Sequence, residues 1–434
     1  MPAPAAAQGV MSAADVARHA ARRERAYDRL GPNLLVVQSR WRPAQPSDAA
    51  FDQDPTFFYY TGDDRLIGAL LVLDGASRRA EVFVRRAADR TRDLRVDAVS
   101  NWTAFESFVE KRLAANPRLT ILVDDGSAPA REAGTVSTPL DSLAAPANPP
   151  VAWLRALRRR WPNAGVAPDT FVSPALRAVK DAAELSAIRR VAAASVRAFL
   201  AGLPRIADGR RQREVEAAVV DACTREGDGP SFWPWVMAGP NAAFPKPFTS
   251  FFDPHHLDRA MKAGEVVRYD LGCKVDHYMG DVGRTLPVTG TFTPGQREVI
   301  DLLVAAYRAG LATIRDGADA AGLLRASVAE ATRRQAAMRT ALGRHAAALL
   351  TKPDSLPYWQ WHGVGLDDAE EPPRVLRAGM VIAYEPIFVV EGQGFYMEDM
   401  ILVTPSGYEI LTRGLPATAA EIEAAMRRRR ERGR

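Results

Sequence analysis

Two stretches of this chain repeat one pattern, and the repeat constrains the fold more than any other feature. Residues 262–270, KAGEVVRYD, recur as residues 377–385, RAGMVIAYE. In each, a basic residue, Ala-Gly, an apolar pair and a tyrosine lead to an acid six residues after the glycine. In the first copy VVRYDLG is rich in strand formers, CKVDHY is a turn region, and a second extended run follows in GRTLPVTG, so the segment reads as a β-hairpin. Folded about Val275/Asp276, it sets Asp270 opposite Asp281. The second copy has EGQG as its turn, folds about Glu391/Gly392 and sets Glu385 opposite Glu398. Opposed residues share one face of a sheet, so each hairpin aims two carboxylates the same way, which is unfavourable without a counter-charge. A divalent cation supplies one.

The rest of the chain arranges itself around this pair. Ser12 is an N-cap for a charged helix from Ala13 to Leu30, stopped by Gly31-Pro32. Strand-like runs follow in NLLVVQSR, FFYYTG, GALLVLDG and EVFVRR, then a helix near Trp102–Asn116 and the strand LTILVDDG. This alternation predicts a compact α/β domain. A Pro-rich break near 144–150, a short basic amphipathic helix and the linker PNAGVAPDTFVSP set the boundary at about 168, giving domains 1–168 and 169–434. Helical segments near 181–203 and 211–226 precede the first hairpin; others near 295–315 and 318–346 precede the second, and a last helix starts at Ala419. Helix, hairpin, helix, hairpin predicts a pseudo-symmetric α+β domain rather than a doubly wound sheet.

The hydrophobic content of 47% and charged content of 25% over 434 residues are those of a globular protein with sizeable cores. No apolar run is long enough to span a bilayer, so no membrane partner is expected. Much of the net charge of +5 sits in the terminal MRRRRERGR, read as a solvated helix end, and no nucleic-acid-binding motif accompanies it. Cys223 and Cys273, too far apart for a zinc spacing, are expected reduced and buried. The reading is cytoplasmic; the Ala/Pro-rich MPAPAAAQGV leaves export as the alternative.

Asp270, Asp281, Glu385 and Glu398 supply four ligands, and a fifth is sought among six histidines. His19 and His345 lie in helical runs and His277 at the first hairpin's tip, whereas His362, in WHGVGLDD between the hairpins, is flanked by glycine and is the best fifth ligand. An oxygen-rich set with one imidazole suits Mn²⁺, Fe²⁺, Co²⁺ or Zn²⁺. Two such ions can lower the pKa of a water between them and polarise a carbonyl, the chemistry of hydrolysis, with Glu385 as general base.

The pattern Asp-x10-Asp, then His, Glu and Glu, resembles the pita-bread metallopeptidases, which include aminopeptidase P, prolidase and methionine aminopeptidase. VVRYDLG with GDVGRTLPVTG, HGVGL, AYEP, MEDMILVTPSGYEILT and LPATAAEIEAAM look like the aminopeptidase P/prolidase branch. LRAVKDAAELSAIRRV is similar to the start of its catalytic domain, and FDQDPTFFYYTG to the creatinase/aminopeptidase P N-terminal domain. The resemblance implies a pita-bread (creatinase-like) catalytic domain behind an α/β N-terminal domain. It implies two divalent ions, manganese before cobalt, zinc or iron, with Asp270 on one ion, Asp281 and Glu398 bridging, and His362 and Glu385 completing the set. It further implies a peptide substrate cut at or near an Xaa-Pro bond by a water activated between the ions, and a homodimer or higher oligomer.

The departures concern the surroundings of that set. Where the family usually has a histidine after GxNAAxP, this chain has Lys246, and a longer following loop carries His255 and His256; either Lys246 or one of the pair takes the catalytic site. Other family histidines are replaced by Tyr358 and Ala369, and an arginine two before the last glutamate by Tyr396. Trp233, Trp235, Trp359 and Trp361, with Phe232, Tyr358 and Tyr396, are either aromatic core or the walls of an apolar pocket; Tyr358, Trp361, Tyr396 and Trp235 are the expected substrate contacts. If Lys246 holds a substrate carboxylate, dipeptidase or carboxypeptidase action replaces aminopeptidase action. A non-peptidase pita-bread protein is the further alternative.

Overall fold

A computed structural model describes residues 11–40, 53–91, 93–124, 149–243, 258–356 and 359–432. The chain divides into two compact units, Met1–Arg177 and Ala178–Arg434.

The first unit holds a mixed six-stranded sheet in the order β4-β3-β2-β1-β5-β6. Its strands are β1 (Leu34–Gln38), β2 (Leu70–Asp74), β3 (Arg79–Val84), β4 (Ala98–Asn101), β5 (Thr120–Asp124) and β6 (Gly165–Pro168). Alternate residues such as Leu34, Val36, Leu70 and Val72 face one core with Phe105, Val109 and Leu157 from the helices Phe105–Ala115 and Pro149–Arg160, and with Trp161 just after the second. The Ala13–Leu30 helix begins as expected, with the Ser12 side chain accepting from Asp15 N and Asp15 reaching back. One expectation fails. FFYYTG is not a strand but part of the helix Pro55–Thr61, because Asp54 caps its start, Pro55 opens its first turn and Gly62 closes it at φ 69°. A short aromatic run does not by itself tell strand from helix.

The second unit carries a seven-stranded sheet, β13-β14-β15-β12-β9-β8 with β16 beside β15, and a three-stranded one, β11-β10-β7. The strands are β7 (Gly229–Pro230), β8 (Trp235–Ala238), β9 (Val266–Leu271), β10 (Cys273–Val275), β11 (Tyr278–Met279), β12 (Val282–Pro287), β13 (Trp359–Gly363), β14 (Val381–Val390), β15 (Gln393–Val403) and β16 (Tyr408–Ile410). A helix pair precedes each hairpin: Ala182–Gly202 with Gln212–Glu226, and Pro294–Leu311 with Gly322–Arg334. Capping boxes start the leading helix of each pair, Asp181 with Glu184 and Thr293 with Gln296. The single helix expected over 318–346 is broken: it stops at Arg334 and restarts at Ala341, where the Thr340 hydroxyl accepts from Gly343 N. The last helix runs Ala419–Arg432. No helix among the described residues is long and apolar enough to cross a membrane.

The hairpins settle the register. In the second, Val390 pairs Gln393, Ile387 pairs Tyr396 and Tyr384 pairs Asp399, so Glu385 stands opposite Glu398 as expected. In the first, Val275 pairs Tyr278 around a turn at Asp276 and His277, both at positive φ. The fold point is one residue later than expected, and Asp270 pairs Gly283 rather than Asp281. A slip of two in the pairing partner keeps the face, because side chains alternate with period two.

The cysteines also correct the sequence reading. They are buried but not reduced: Cys223 and Cys273 form a disulfide with Cα atoms 5.1 Å apart. Cys223 extends the buried stripe Val215, Val219, Cys223 of its helix, which packs against β10 and so against Cys273. That proximity is tertiary and leaves no mark in the spacing of two isolated cysteines.

Candidate metal centre

The sheet registers lay the acids out in rows on one face. The central row runs Trp235, Asp270, Gly283, Glu398, Glu385, Gln360 across six strands. By continuation of the same registers, Asp281, one residue before β12, shares the next row with Met400, Ala383 and His362. On the other side lies a third row: Met237, Arg268, Thr285, Tyr396 and Ile387. The opposite face of the sheet is covered by helices, with Tyr269 against Phe199 and Tyr384 stacked on Tyr307 at 4.9 Å.

His362 is the hub. Its Nε2 lies 3.3 Å from Glu385 Oε1, 3.5 Å from Asp281 Oδ2 and 3.9 Å from Glu398 Oε1. Its Nδ1 donates to the Gly363 carbonyl at 3.0 Å, and since a carbonyl only accepts, this fixes Nδ1 as the protonated nitrogen and turns the Nε2 lone pair to the acids. One ligand atom each from Asp281, His362 and Glu398 lie within 4.8 Å of one another.

Burial governs the electrostatics. It pushes the Asp270 carboxyl up to about 8, against the lowering pull of Arg268 and with the charge of Glu385 adding to it. Burial, then Glu398, hold Asp281 well above the usual carboxylate range. Burial, then Glu385, do the same for Glu398. Asp270 Oδ1, Asp281 Oδ1 and Glu398 Oε1 are all buried without a hydrogen-bond partner among the described residues. Buried carboxylate oxygens are costly when unmatched. The mutual repulsion and these oxygens, together with an imidazole Nε2 turned toward them, fit divalent cations. Asp270, Asp281, His362, Glu385 and Glu398 are the residues able to hold them.

The strand under Glu398 is fixed from the far face. Arg284 on β12 donates to both oxygens of Asp399, at 2.9 and 3.0 Å, and to the Pro416 carbonyl at 2.8 Å. It also donates to the Glu398 carbonyl itself. Tyr307 and Thr412 hydroxyls complete Asp399 at 3.0 and 2.8 Å. On the near face the Tyr396 hydroxyl donates to Glu398 Oε2, and its ring lies over Gly283, where an added Cβ would come within 1.8 Å of Cε1.

Other expected residues fare differently. Trp235 stands beside Asp270 at the end of the central row, edge-on to Phe232 at 6.4 Å. Trp361 is one residue from His362 and so faces away from the acids; its indole donates to the Pro373 carbonyl at 3.0 Å. Trp359 shares that far face and donates to Tyr384. Lys246, His255, His256 and Tyr358 lie outside the described residues. Arg268, Arg284, Asp399 and Asp368, whose charge adds to those of Asp270 and Asp281, are absent from the sequence reading. The signal that could have found Arg268 is a charged residue inside the apolar run VVRYDL; for Asp399 it is an acid directly after a proposed ligand.

The profile of metallopeptidase family M24 matches residues 186–405, just over half of the chain. An Xaa-Pro dipeptidase of Pyrococcus furiosus is 28% identical over 55% of this chain and 64% of its own length. Xaa-Pro aminopeptidase 2 of Streptomyces coelicolor is 31% identical over 58% of this chain and 57% of its own. The chain thus spans less than two thirds of the length of these curated relatives. Among solved structures, proline aminopeptidase P II from Yersinia pestis is similar with a TM-score of 0.72 at 22% identity, covering 96% of this chain and 100% of that one. Aminopeptidase P from Escherichia coli with the inhibitor Pro-Leu gives 0.71 at 21%, covering 98% and 100%. These likenesses establish the fold: a pita-bread domain preceded by an α/β N-terminal domain, as expected.

Proposed function

This chain belongs to metallopeptidase family M24, and from that premise we propose that it hydrolyses peptides at or next to Xaa-Pro bonds in the manner of aminopeptidase P, using two divalent ions. The observation that carries the reading is the arrangement of Asp270, Asp281, Glu385, Glu398 and His362 on one sheet face, with three buried carboxylate oxygens that have no donor among the described residues. Asp270, Asp281, His362, Glu385 and Glu398 would hold the ions. Bound there, such ions would supply Lewis acidity, lowering the pKa of a water and polarising the scissile carbonyl. Manganese is the proposed metal; cobalt, zinc and iron suit the same donors.

The protein's own groups do the rest. Glu385 accepts the proton of the attacking water and returns it to the leaving nitrogen. The Gly363 carbonyl engages Nδ1 of His362 and so holds the ring with Nε2 toward the acids. Arg284 and Asp399 hold β15 from behind, so Glu398 meets the substrate side in one position. Trp235 and Phe232, beside Asp270, form an apolar wall suited to a prolyl ring or a large side chain. Tyr358 is a further proposed substrate contact, and Lys246 or one of His255 and His256 is the proposed group that steadies charge on the carbonyl oxygen; all four lie outside the described residues.

The test is mass spectrometry of digests with Mn²⁺ added, comparing free, N-blocked and C-blocked Xaa-Pro peptides. The expected result is cleavage that needs a free N-terminus. Cleavage that survives the N-terminal block but not the C-terminal one overturns the aminopeptidase reading in favour of carboxypeptidase or dipeptidase action, and no cleavage of any peptide overturns the peptidase reading.

A further inference from the structure

Strand β8 lies at one edge of the seven-stranded sheet and carries Trp235, the wall residue beside Asp270. On one side β9 holds it by ladder hydrogen bonds. The other hold comes from the helix Gln212–Glu226, through two side chains one turn apart. Gln212 Oε1 accepts from Ala238 N at 2.8 Å and from Asn241 Nδ2 at 3.2 Å, at the far end of the strand. Glu216 Oε2 accepts from the Trp233 indole N–H at 2.9 Å, two residues before the strand starts. Helix residues four apart share a face, so the pair is a two-point clamp on β8 and on the segment 232–235.

The two arms of the clamp differ. Gln212 is buried and cannot ionise in the working range of pH. Glu216 is half-buried, and burial pushes its carboxyl up from 4.5 to about 7. The Trp233 hydrogen bond and Arg213, on the same helix, oppose that rise; Asp258, itself held by Arg211, adds to it. Among the described residues, β7, β8 and β10, which pack on this helix, bring no further charge to bear on it. The Trp233 ring is 42% exposed, so little apolar packing stands in for its hydrogen bond.

We propose that this clamp positions the aromatic wall of the substrate site and that its Glu216 arm is operated by a proton: closed while the carboxyl is protonated, released when it ionises. This rests on the reading of Phe232 and Trp235 as that wall. The protonated carboxyl still offers an acceptor oxygen to the indole. Linkage sets the sign. A carboxyl that titrates near 7 when the segment is held, and near its ordinary 4.5 when the segment swings out into water, binds its proton more tightly in the held form. Rising pH therefore favours release, and from pH 6 to pH 8 the ratio of held to released form falls about tenfold. Glu216 acts through Trp233 and is a positioning residue.

The experiment measures KM and kcat of the Mn²⁺-supplemented full-length protein for a free Xaa-Pro peptide from pH 6 to pH 8, and tryptophan emission over the same range. The proteins are the parent, Glu216→Gln, which keeps an acceptor and mimics the protonated arm, and Trp233→Phe, which removes the donor. The parent KM should rise by up to about tenfold, with a smaller change in kcat and an emission change centred near pH 7. Glu216→Gln should keep the low KM and the acid-side emission throughout, and Trp233→Phe should show the high KM at every pH. A parent KM that is flat, a Glu216→Gln profile that tracks the parent's, or a Trp233→Phe profile that does so overturns the proposal while the peptidase reading stands. Should no peptide be cleaved, the peptidase reading fails, and emission of the parent against Glu216→Gln alone decides the clamp. Should Glu216→Gln not fold, Trp233→Phe decides by the same comparison.

Discussion

Breaking the Cys223–Cys273 bond should cost the protein a measurable share of its stability. The bond closes a loop of 50 residues. Chain-entropy arguments for a loop of that length give about 4 kcal/mol of stabilisation, through restriction of the unfolded chain. The loop contains β7 to β9, hence Asp270, and Cys273 opens the strand that leads toward Asp281, so the loss falls on the first hairpin. Both sulfurs belong to fully buried residues, so a reductant acts only through opening of the structure. The assay is urea unfolding of the purified protein with and without a phosphine reductant, the reduced sample having been unfolded and refolded with it. The midpoint should fall with the slope little changed. Thiol titration of the unfolded, unreduced protein should find neither cysteine reactive. Two titratable thiols in that sample, or coincident unfolding curves after verified reduction, would refute the reasoning.

Further outcomes follow from the centre and its supports. Glu385→Gln should lower turnover by about 10²–10⁴ in steady-state assays, and an unchanged rate removes Glu385 as the base. Asp399→Ala strands the Arg284 guanidinium in a buried site and should cost about 3–5 kcal/mol in urea unfolding; a loss under a tenth of that would mean the backbone carbonyls suffice for Arg284. The metal-free protein should lose stability as pH rises from about 4 toward 8, because Asp270 is raised to about 8 and, with Asp281 and Glu398 also raised, the folded state binds more protons than the unfolded one over that window. Melting temperatures of chelated and Mn²⁺-loaded protein across pH 5–8, where the three folded acids differ most from their unfolded references, should therefore diverge as pH rises, and parallel curves would contradict this. Trp235→Ala should raise KM for Xaa-Pro peptides more than it lowers kcat, and the reverse split would take Trp235 out of substrate binding.

How much of this was legible follows from what each residue shows locally. The repeat KAGEVVRYD/RAGMVIAYE disclosed both hairpins, and alternation put the acids on one face even where the pairing slipped. The second register was readable because Gly392 marks its turn at positive φ. The first was misplaced because Asp276 and His277 occupy that conformation without a glycine between them. FFYYTG misled because its strand-forming composition outweighed the Asp-Pro start and glycine stop that make it a helix. Trp361 was expected in the pocket on proximity in sequence to His362, yet adjacent strand residues point to opposite faces. The disulfide, Arg268 and the Arg284–Asp399 pair are contacts between distant segments; each looks in sequence like any other cysteine or charge.

Gly283 has a consequence for how this centre can change. Its missing side chain is replaced in space by the ring of Tyr396, which comes from a different strand, so positions 283 and 396 behave as one steric unit. A methyl group at 283 evicts the ring, and a smaller residue at 396 makes room for the methyl. In a double-mutant cycle the two substitutions should be strongly non-additive, each harmful alone and partly compensating together. Any route by which this scaffold acquires a different side chain beside Glu398 therefore passes through a paired exchange at two strands rather than a single step at one.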